Sequence, residues 1–166
     1  MQINVRSEIS SDIETIYYVT EQAFKGVSYA SGDEQDIIER LRASDALSLS
    51  LVATVGVAIV GHIALSPTRS TDSSQKWFAL GPVSVLPDYQ RKGVGSALIL
   101  QALAEIKEQE ATGCILVGDP AYYQRFGFEL APQFSPKREY ASVFMINRFS
   151  TEEPTDALSF HQAFGD

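Results

Sequence analysis

The 166-residue chain is poor in the residues that build metal centres and cross-links: it has one cysteine, Cys114, and two histidines, His62 and His161. A lone cysteine excludes an internal disulfide framework and a cysteine-based zinc site, and with so few histidines no metal site is expected. This usage suits a reducing compartment, and a cytoplasmic location is the expectation. Positive charge is scarce too. Thirteen Lys and Arg stand against 21 Asp and Glu, for a formal net charge of -8. With no basic run to form a patch, no nucleic-acid partner is expected. The acidity mildly favours cationic partners such as amines, although an ordinary solvated surface gives the same balance. No apolar run is long enough to span a membrane: the most apolar segment, Leu51 to Leu65, is short, β-branched and interrupted by Thr54, Gly56, Gly61 and His62. The start, Met1 to Glu8, has no basic head followed by an apolar stretch, so no signal peptide is expected.

What the chain does have is 45% hydrophobic and 10% aromatic residues, enough to bury a core. Ile3 and Val5 alternate with polar residues as in a half-buried strand, and Ser10 or Ser11 then caps a helix over about Asp12 to Phe24 with Ile13, Ile16, Tyr17 and Thr20 inward. A loop at Lys25 to Gly32 precedes a second helix, about Asp33 to Ala43, with Ile37, Ile38 and Leu41 inside. Leu49 to Thr54, Ala58 to Pro67 and Trp77 to Val85 read as strands. The longest helical pattern runs from Gly93 to about Glu110, with Val94, Leu98, Ala102 and Ile106 on one stripe and Gly113 as its stop. Cys114 to Val117 reads as a buried strand, and a short helix after Pro120 ends at Gly127. Further strands fall near Phe128 to Leu130 and Ser142 to Arg148, before an apolar segment from Leu158 to Phe164. With no repeat and no linker, the expectation is one α/β domain over 1–166, its core about 3–148, with a mixed sheet and flanking helices.

The stretch that carries chemistry is Val83 Ser84 Val85 Leu86 Pro87 Asp88 Tyr89 Gln90 Arg91 Lys92 Gly93 Val94 Gly95 Ser96, a strand that breaks at Pro87 and reopens as the long helix. Two glycines at a helix start let backbone approach a ligand and leave N–H groups aimed at one point, where the helix dipole favours an anion. A pyrophosphate suits such a cradle, and Arg91 and Lys92 add positive charge beside it. An ordinary glycine turn with two solvated cations is the plainer reading of a bare G-x-G. Two other anion motifs do not fit. The Walker loop needs Gly-Lys followed by Ser or Thr, and the dinucleotide fingerprint needs a third glycine where Leu98 stands.

Gln90 Arg91 Lys92 Gly93 Val94 Gly95 resembles the Q/R-x-x-G-x-G/A signature of the GNAT superfamily of N-acetyltransferases. Downstream, Gly118 Asp119 Pro120 Ala121 Tyr122 Tyr123 Gln124 Arg125 Phe126 Gly127 Phe128 resembles a second segment of that family, in which a tyrosine, here Tyr123, precedes a Gly-Phe pair by four residues. With Leu51 Val52 Ala53 and Val60 Gly61 His62 Ile63, the pattern is similar to the YhbS-like branch, over about Ile3 to Arg148. The resemblance implies acetyl-CoA as donor, a primary amine as acceptor, and a central sheet in which two parallel strands splay apart. It also implies that the strand at Val83, Ser84 and Val85 lends backbone groups to the pantetheine and polarises the thioester carbonyl. The segment Gln90 to Ser96 would hold the pyrophosphate, through the amides of Arg91 to Ser96. Donors aimed at a developing oxyanion are what acyl transfer from a thioester needs.

Direct attack by a neutral amine makes a thiolate, so the site wants a proton source near sulfur and a proton sink near nitrogen. A phenol, with an ordinary pKa of about 10, suits the first role, and Tyr123 is the candidate acid. Neighbours on a helix point about 100° apart, so Tyr122 can pack while Tyr123 faces a cleft. The candidate bases are Glu34, Glu21 and His62, or a water relay. Glu34 also reads as an exposed first-turn carboxylate, and His62 as a core histidine. Cys114, on a buried-looking strand with no histidine placed to activate it, reads as core rather than nucleophile. A non-catalytic acyl-CoA-binding module remains the alternative. No motif in Lys25 to Gly32, Pro67 to Lys76 or Ala131 to Tyr140 names the acceptor, and Phe160 and Phe164 either complete a homodimer or cap the sheet.

Overall fold

In the computed structural model, which describes residues 1–165, seven strands hydrogen-bond in the order β1-β2-β3-β4-β5-β7-β6. They are β1 (Asn4–Ser7), β2 (Leu49–Val55), β3 (Ala58–Pro67), β4 (Trp77–Val85), β5 (Gly113–Val117), β6 (Glu129–Leu130) and β7 (Phe144–Arg148). The helices are α1 (Ile13–Phe24), α2 (Glu34–Ala43), α3 (Val94–Glu108) and the single turn α4 (Pro120–Tyr123). The mixed α/β architecture expected from the sequence is present. β4 and β5 pair in parallel, while β1 with β2, β2 with β3, β5 with β7 and β6 with β7 pair antiparallel. The parallel ladder runs only from Trp77 opposite Gly113 to Ala79 opposite Ile115, although β4 continues to Val85. Gly81 follows with φ +133°, and Pro82 has no N–H to offer a neighbour, so a regular ladder cannot run through them.

The chain forms two compact units, Met1–Leu65 with Gly81–Ala102, and Ser66–Leu80 with Leu103–Asp166. In the first unit, Ile16 of α1 and Ile38 of α2 pack on Val52 and Ala64, which share one face of β2 and β3, with Leu47 and Ile59 at the margin. Burying such side chains contributes about 1.5–3 kcal/mol each. The inward stripe of α1 is Ile16, Val19 and Thr20; Ile13 and Tyr17, expected inward, are half-buried. Tyr17 is held toward the surface because its hydroxyl donates to Asp36 Oδ1 at 3.0 Å. The start of α1 also differs from expectation. A 3-10 turn at Ser10–Asp12 precedes it, and the Asp12 carboxylate, paired with Arg6 at 2.7 Å, takes the Ile9 N–H at 2.8 Å. Asp12, rather than Ser10 or Ser11, closes this end.

In the second unit Trp77, Ala79, Ile115, Phe144, Ile146 and Leu158 form the core. The Phe160 ring stands edge-on to Phe144 at 6.3 Å and tilts over Phe164 at 5.6 Å, so both aromatics considered for a dimer contact are seated within their own unit. The sequence placed the stop of α3 at Gly113, and the structure moves it. Glu110 takes a left-handed conformation, φ +62°, and the Ala111 N–H donates to the Ile106 carbonyl at 3.1 Å. A non-glycine residue there costs roughly 1–2 kcal/mol, offset by closing the last helical carbonyls. Gly113 instead opens β5. No helix among the described residues is long and apolar enough to cross a membrane. Among them no group of three His, Cys, Asp or Glu residues could hold a metal ion.

Candidate active site

The segment from β4 into α3 lies in the first unit. Val83 and Val85 are half-exposed on one face of β4, and Ser84 is buried on the other. After Val85 a 3-10 turn at Pro87–Tyr89 reverses the chain, and Gln90 ties it back by donating from Nε2 to the Val85 carbonyl at 3.0 Å. Arg91 and Gly93 have φ of +61° and +90°, a backbone shape that turns successive N–H groups toward one side. Arg91, Lys92 and Gly93 are exposed, and the Lys92 ammonium lies 5.8 Å over the Tyr89 ring. Ala97 N–H donates to the Gly93 carbonyl at 3.0 Å, which puts Val94 and Gly95 in the first turn of α3, at the positive end of its dipole. Gly61 of β3 lies under this turn: a Cβ there would stand 2.8 Å from Val94 Cγ1 and 3.2 Å from Leu98 Cδ1.

Tyr123 belongs to the second unit. Asp119 caps α4 by accepting the Ala121 N–H at 3.0 Å, and Gly127, φ +96°, ends the 3-10 turn that follows. The Tyr123 ring lies against Gly118, whose added Cβ would be 2.6 Å from Cε2, and meets Phe128 edge-on at 6.0 Å. Tyr122 packs on Phe126 at 5.4 Å and under the Arg125 guanidinium at 4.6 Å. Both tyrosines are half-buried, so their roles do not separate by burial as the sequence suggested.

Glu34 is buried rather than an exposed first-turn carboxylate. Its oxygens accept the N–H of Ser31 at 2.8 Å, the Ser31 hydroxyl at 3.1 Å and the N–H of Gly32 at 3.1 Å, which folds the α1–α2 loop onto the start of α2. A cavity of about 380 Å³ opens beside it, lined by Glu21, Phe24, Val27, Ala30, Glu34 and Gln35 among others. Glu21 and Glu34, two of the candidate bases, are thus brought to one wall.

His62, the third, is fully buried on β3. Its Nε2 lies 2.8 Å from Ser50 Oγ on β2, and Ser50 lies 2.5 Å from Glu8 Oε1, which also takes a hydrogen bond from Arg42 at 2.8 Å. Arg42 pairs further with Glu39 at 2.9 Å. Burial pushes the His62 pKa down to about 4, with the Glu8 charge pulling it up and Arg42 down. Burial pushes the Glu8 carboxyl up, but hydrogen bonds from Arg42 and Ser50 outweigh it and hold the group below the ordinary value. His62 Nδ1, Ser66 Oγ and Ser84 Oγ are buried with no hydrogen-bond partner. Sequence reasoning missed Glu8 and Ser50. The signal available for Ser50 was a polar residue at a buried position of an apolar strand beside His62 on the next one; Glu8, one residue past β1, carried none. Cys114 is fully buried, and burial pushes its thiol up, away from the reactive thiolate.

Residues 47–130 match the family described as Acetyltransferase (GNAT) domain. The chain is 28% identical over 144 residues to the uncharacterized N-acetyltransferase YhbS of Escherichia coli K12, covering 82% of this chain and 86% of that one. Among solved structures, a GNAT family acetyltransferase from Brucella melitensis in complex with acetyl-CoA is 39% identical, with a TM-score of 0.87 over 98% of both chains. YhbS from Escherichia coli in complex with CoA is 26% identical, with a TM-score of 0.90 over 100% of this chain and 93% of that one.

Proposed function

The chain belongs to the GNAT acetyltransferase family, and from that premise we propose that it transfers acetyl from acetyl-CoA to a primary amine by direct attack in a ternary complex, working as a single catalytic domain. The observation that carries this reading is the exposed turn with positive φ at Arg91 and Gly93 at the head of α3, in a chain 39% identical to a relative solved with acetyl-CoA. Gln90, Arg91, Lys92, Gly93, Val94, Gly95 and Ser96 hold the pyrophosphate, the backbone amides doing most of the work and the two cations adding charge. Val83, Ser84 and Val85 offer backbone groups to the pantetheine and to the thioester carbonyl, where charge develops as the amine attacks.

The nitrogen of the amine attacks the carbonyl carbon, the tetrahedral adduct collapses, and the carbon–sulfur bond breaks. Tyr123 donates the proton that the departing thiolate needs. Glu34, with its oxygens engaged by Ser31 and Gly32, shapes the wall that meets the amine, and together with Glu21 it favours a cationic acceptor. Calorimetric titration tests the donor half. Acetyl-CoA is expected to bind the wild type at micromolar concentration and not the Gly95→Asp variant, which puts a side chain and a negative charge into the cradle. Absence of binding to the wild type, with CoA and with acetyl-CoA alike, would overturn the reading.

A further inference from the structure

Four of the chain's five lysines have a partner for their ammonium. Lys76 donates to the Gln109 carbonyl at 3.2 Å and lies 5.6 Å over the Phe78 ring. Lys92, Lys107 and Lys137 lie 5.8, 5.0 and 5.6 Å over Tyr89, Phe149 and Tyr140. Such contacts favour the charged form, so taking a proton from any of these four, or adding an acetyl group, loses an interaction. Lys25 differs: among the described residues its ammonium makes no hydrogen bond, ion pair or ring contact. It follows the last residue of α1 with φ -61° and ψ 123°, and Gly26, φ +75°, turns the chain into the α1–α2 loop. From there Lys25 is exposed and lines the cavity of about 380 Å³ with Glu21 and Glu34. The Val27 N–H on the Phe24 carbonyl and the Ser31 and Gly32 N–H groups on Glu34 brace the loop at both ends. The freedom to move thus rests with the Lys25 side chain, a flexible four-carbon stem. Cavity and proposed cradle belong to the same compact unit.

We propose that Lys25 is acetylated by its own molecule: when no external amine fills the cavity, its Nζ takes the acceptor's place. The proposal rests on the acyl-transfer reading and adds to it a modification site on this chain. The Lys25 ammonium first gives a proton to solvent. The neutral Nζ attacks the thioester carbonyl carbon, a nitrogen–carbon bond forms, and the carbon–sulfur bond breaks. The nitrogen sheds a proton as the amide forms, the departing thiolate gains one, and the products are acetylated Lys25 and CoA. One proton is released for each acetyl group transferred, and the formal net charge of the chain falls by one from -8. Holding amine and thioester on one molecule replaces a bimolecular encounter, so Lys25 outruns the lysines that acetyl-CoA meets only from solution.

The test incubates the protein with acetyl-CoA and no acceptor, quenches at intervals, digests, and reads acetyl occupancy at each lysine by mass spectrometry. Lys25 is expected to be acetylated at least about tenfold faster than Lys107 or Lys137, at a rate per molecule that dilution of the protein leaves unchanged. Excess CoA, which competes for the donor site, should remove that preference and leave Lys107 as it was. The Gly95→Asp variant should remove it too. Acetylation of Lys25 no faster than that of Lys107 overturns the proposal. So does a preference that survives excess CoA, or a rate per molecule proportional to protein concentration. Calorimetry keeps the two readings apart: a wild type that does not bind acetyl-CoA overturns the donor reading, whereas one that binds it while Lys25 stays unmodified overturns self-acetylation alone.

Discussion

Gly118 and Tyr123 are in contact across the start of α4: a Cβ on Gly118 would stand 2.6 Å from Tyr123 Cε2 and 3.0 Å from Cδ2. The ring is fixed from the other side by Phe128. Gly118→Ala is therefore expected to turn the phenol away without unfolding the chain, and to lower turnover about as much as Tyr123→Phe does. Both variants should keep acetyl-CoA affinity, because the assigned cradle lies elsewhere in the sequence. Steady-state thiol release beside calorimetry checks this; a Tyr123→Phe enzyme with full turnover removes the acid assignment.

Gly61 and Val94 support a second expectation. Filling the space at 61 pushes on Val94 Cγ1, the Ser84 carbonyl oxygen and Leu98 Cδ1, the two side chains being inward ones of the helix whose N-terminal turn is the proposed cradle. Gly61→Val should cost roughly 1–3 kcal/mol of stability through overpacking. Acetyl-CoA affinity should fall by more than tenfold in protein that is still folded, as read by calorimetry below the variant's melting temperature.

His62 makes stability depend on pH in a definite direction. Its pKa is about 4 in the folded chain against an ordinary 6.5, so between those values the unfolded chain binds more protons. Stability from this group is complete above about pH 6.5 and is lost as pH falls through about 4, an effect of roughly 3 kcal/mol. The melting temperature of the wild type should drop across this window more steeply than that of His62→Leu. Equal slopes would show that the imidazole is not held neutral by burial.

Cys114 is expected to be inert. The folded protein should leave a thiol reagent unreacted, and Cys114→Ala should keep wild-type turnover while losing about 1 kcal/mol of stability from the emptied core position. Loss of turnover in a folded Cys114→Ala protein would restore an acetyl-cysteine route.

The elements legible in the sequence were those with strong periodicity. β4 over Trp77–Val85 and the α3 stripe of Val94, Leu98, Ala102 and Ile106 fall where the pattern of apolar residues puts them, because burial of one face dominates their energetics. The ends were less legible. Asp12 closes the start of α1 through its partnership with Arg6 in β1, and Glu110 ends α3 in a conformation that composition disfavours.

By itself, the sequence determined the family and the passage from β4 into α3, since the Gln90 to Gly95 spacing depends on local backbone geometry that neighbouring residues dictate. The tertiary structure alone decided what the buried polar side chains do. Glu8, Ser50 and His62 are separated by 42 and 12 positions in the chain, and only the pairing of β2 with β3 and with β1, continued one residue past β1 by the Glu8 N–H on the Ser50 carbonyl, brings them within hydrogen-bond reach. Glu34 took its place by the same physics: a carboxylate removed from water must find donors, and the turned-in N–H groups of Ser31 and Gly32 were the ones at hand.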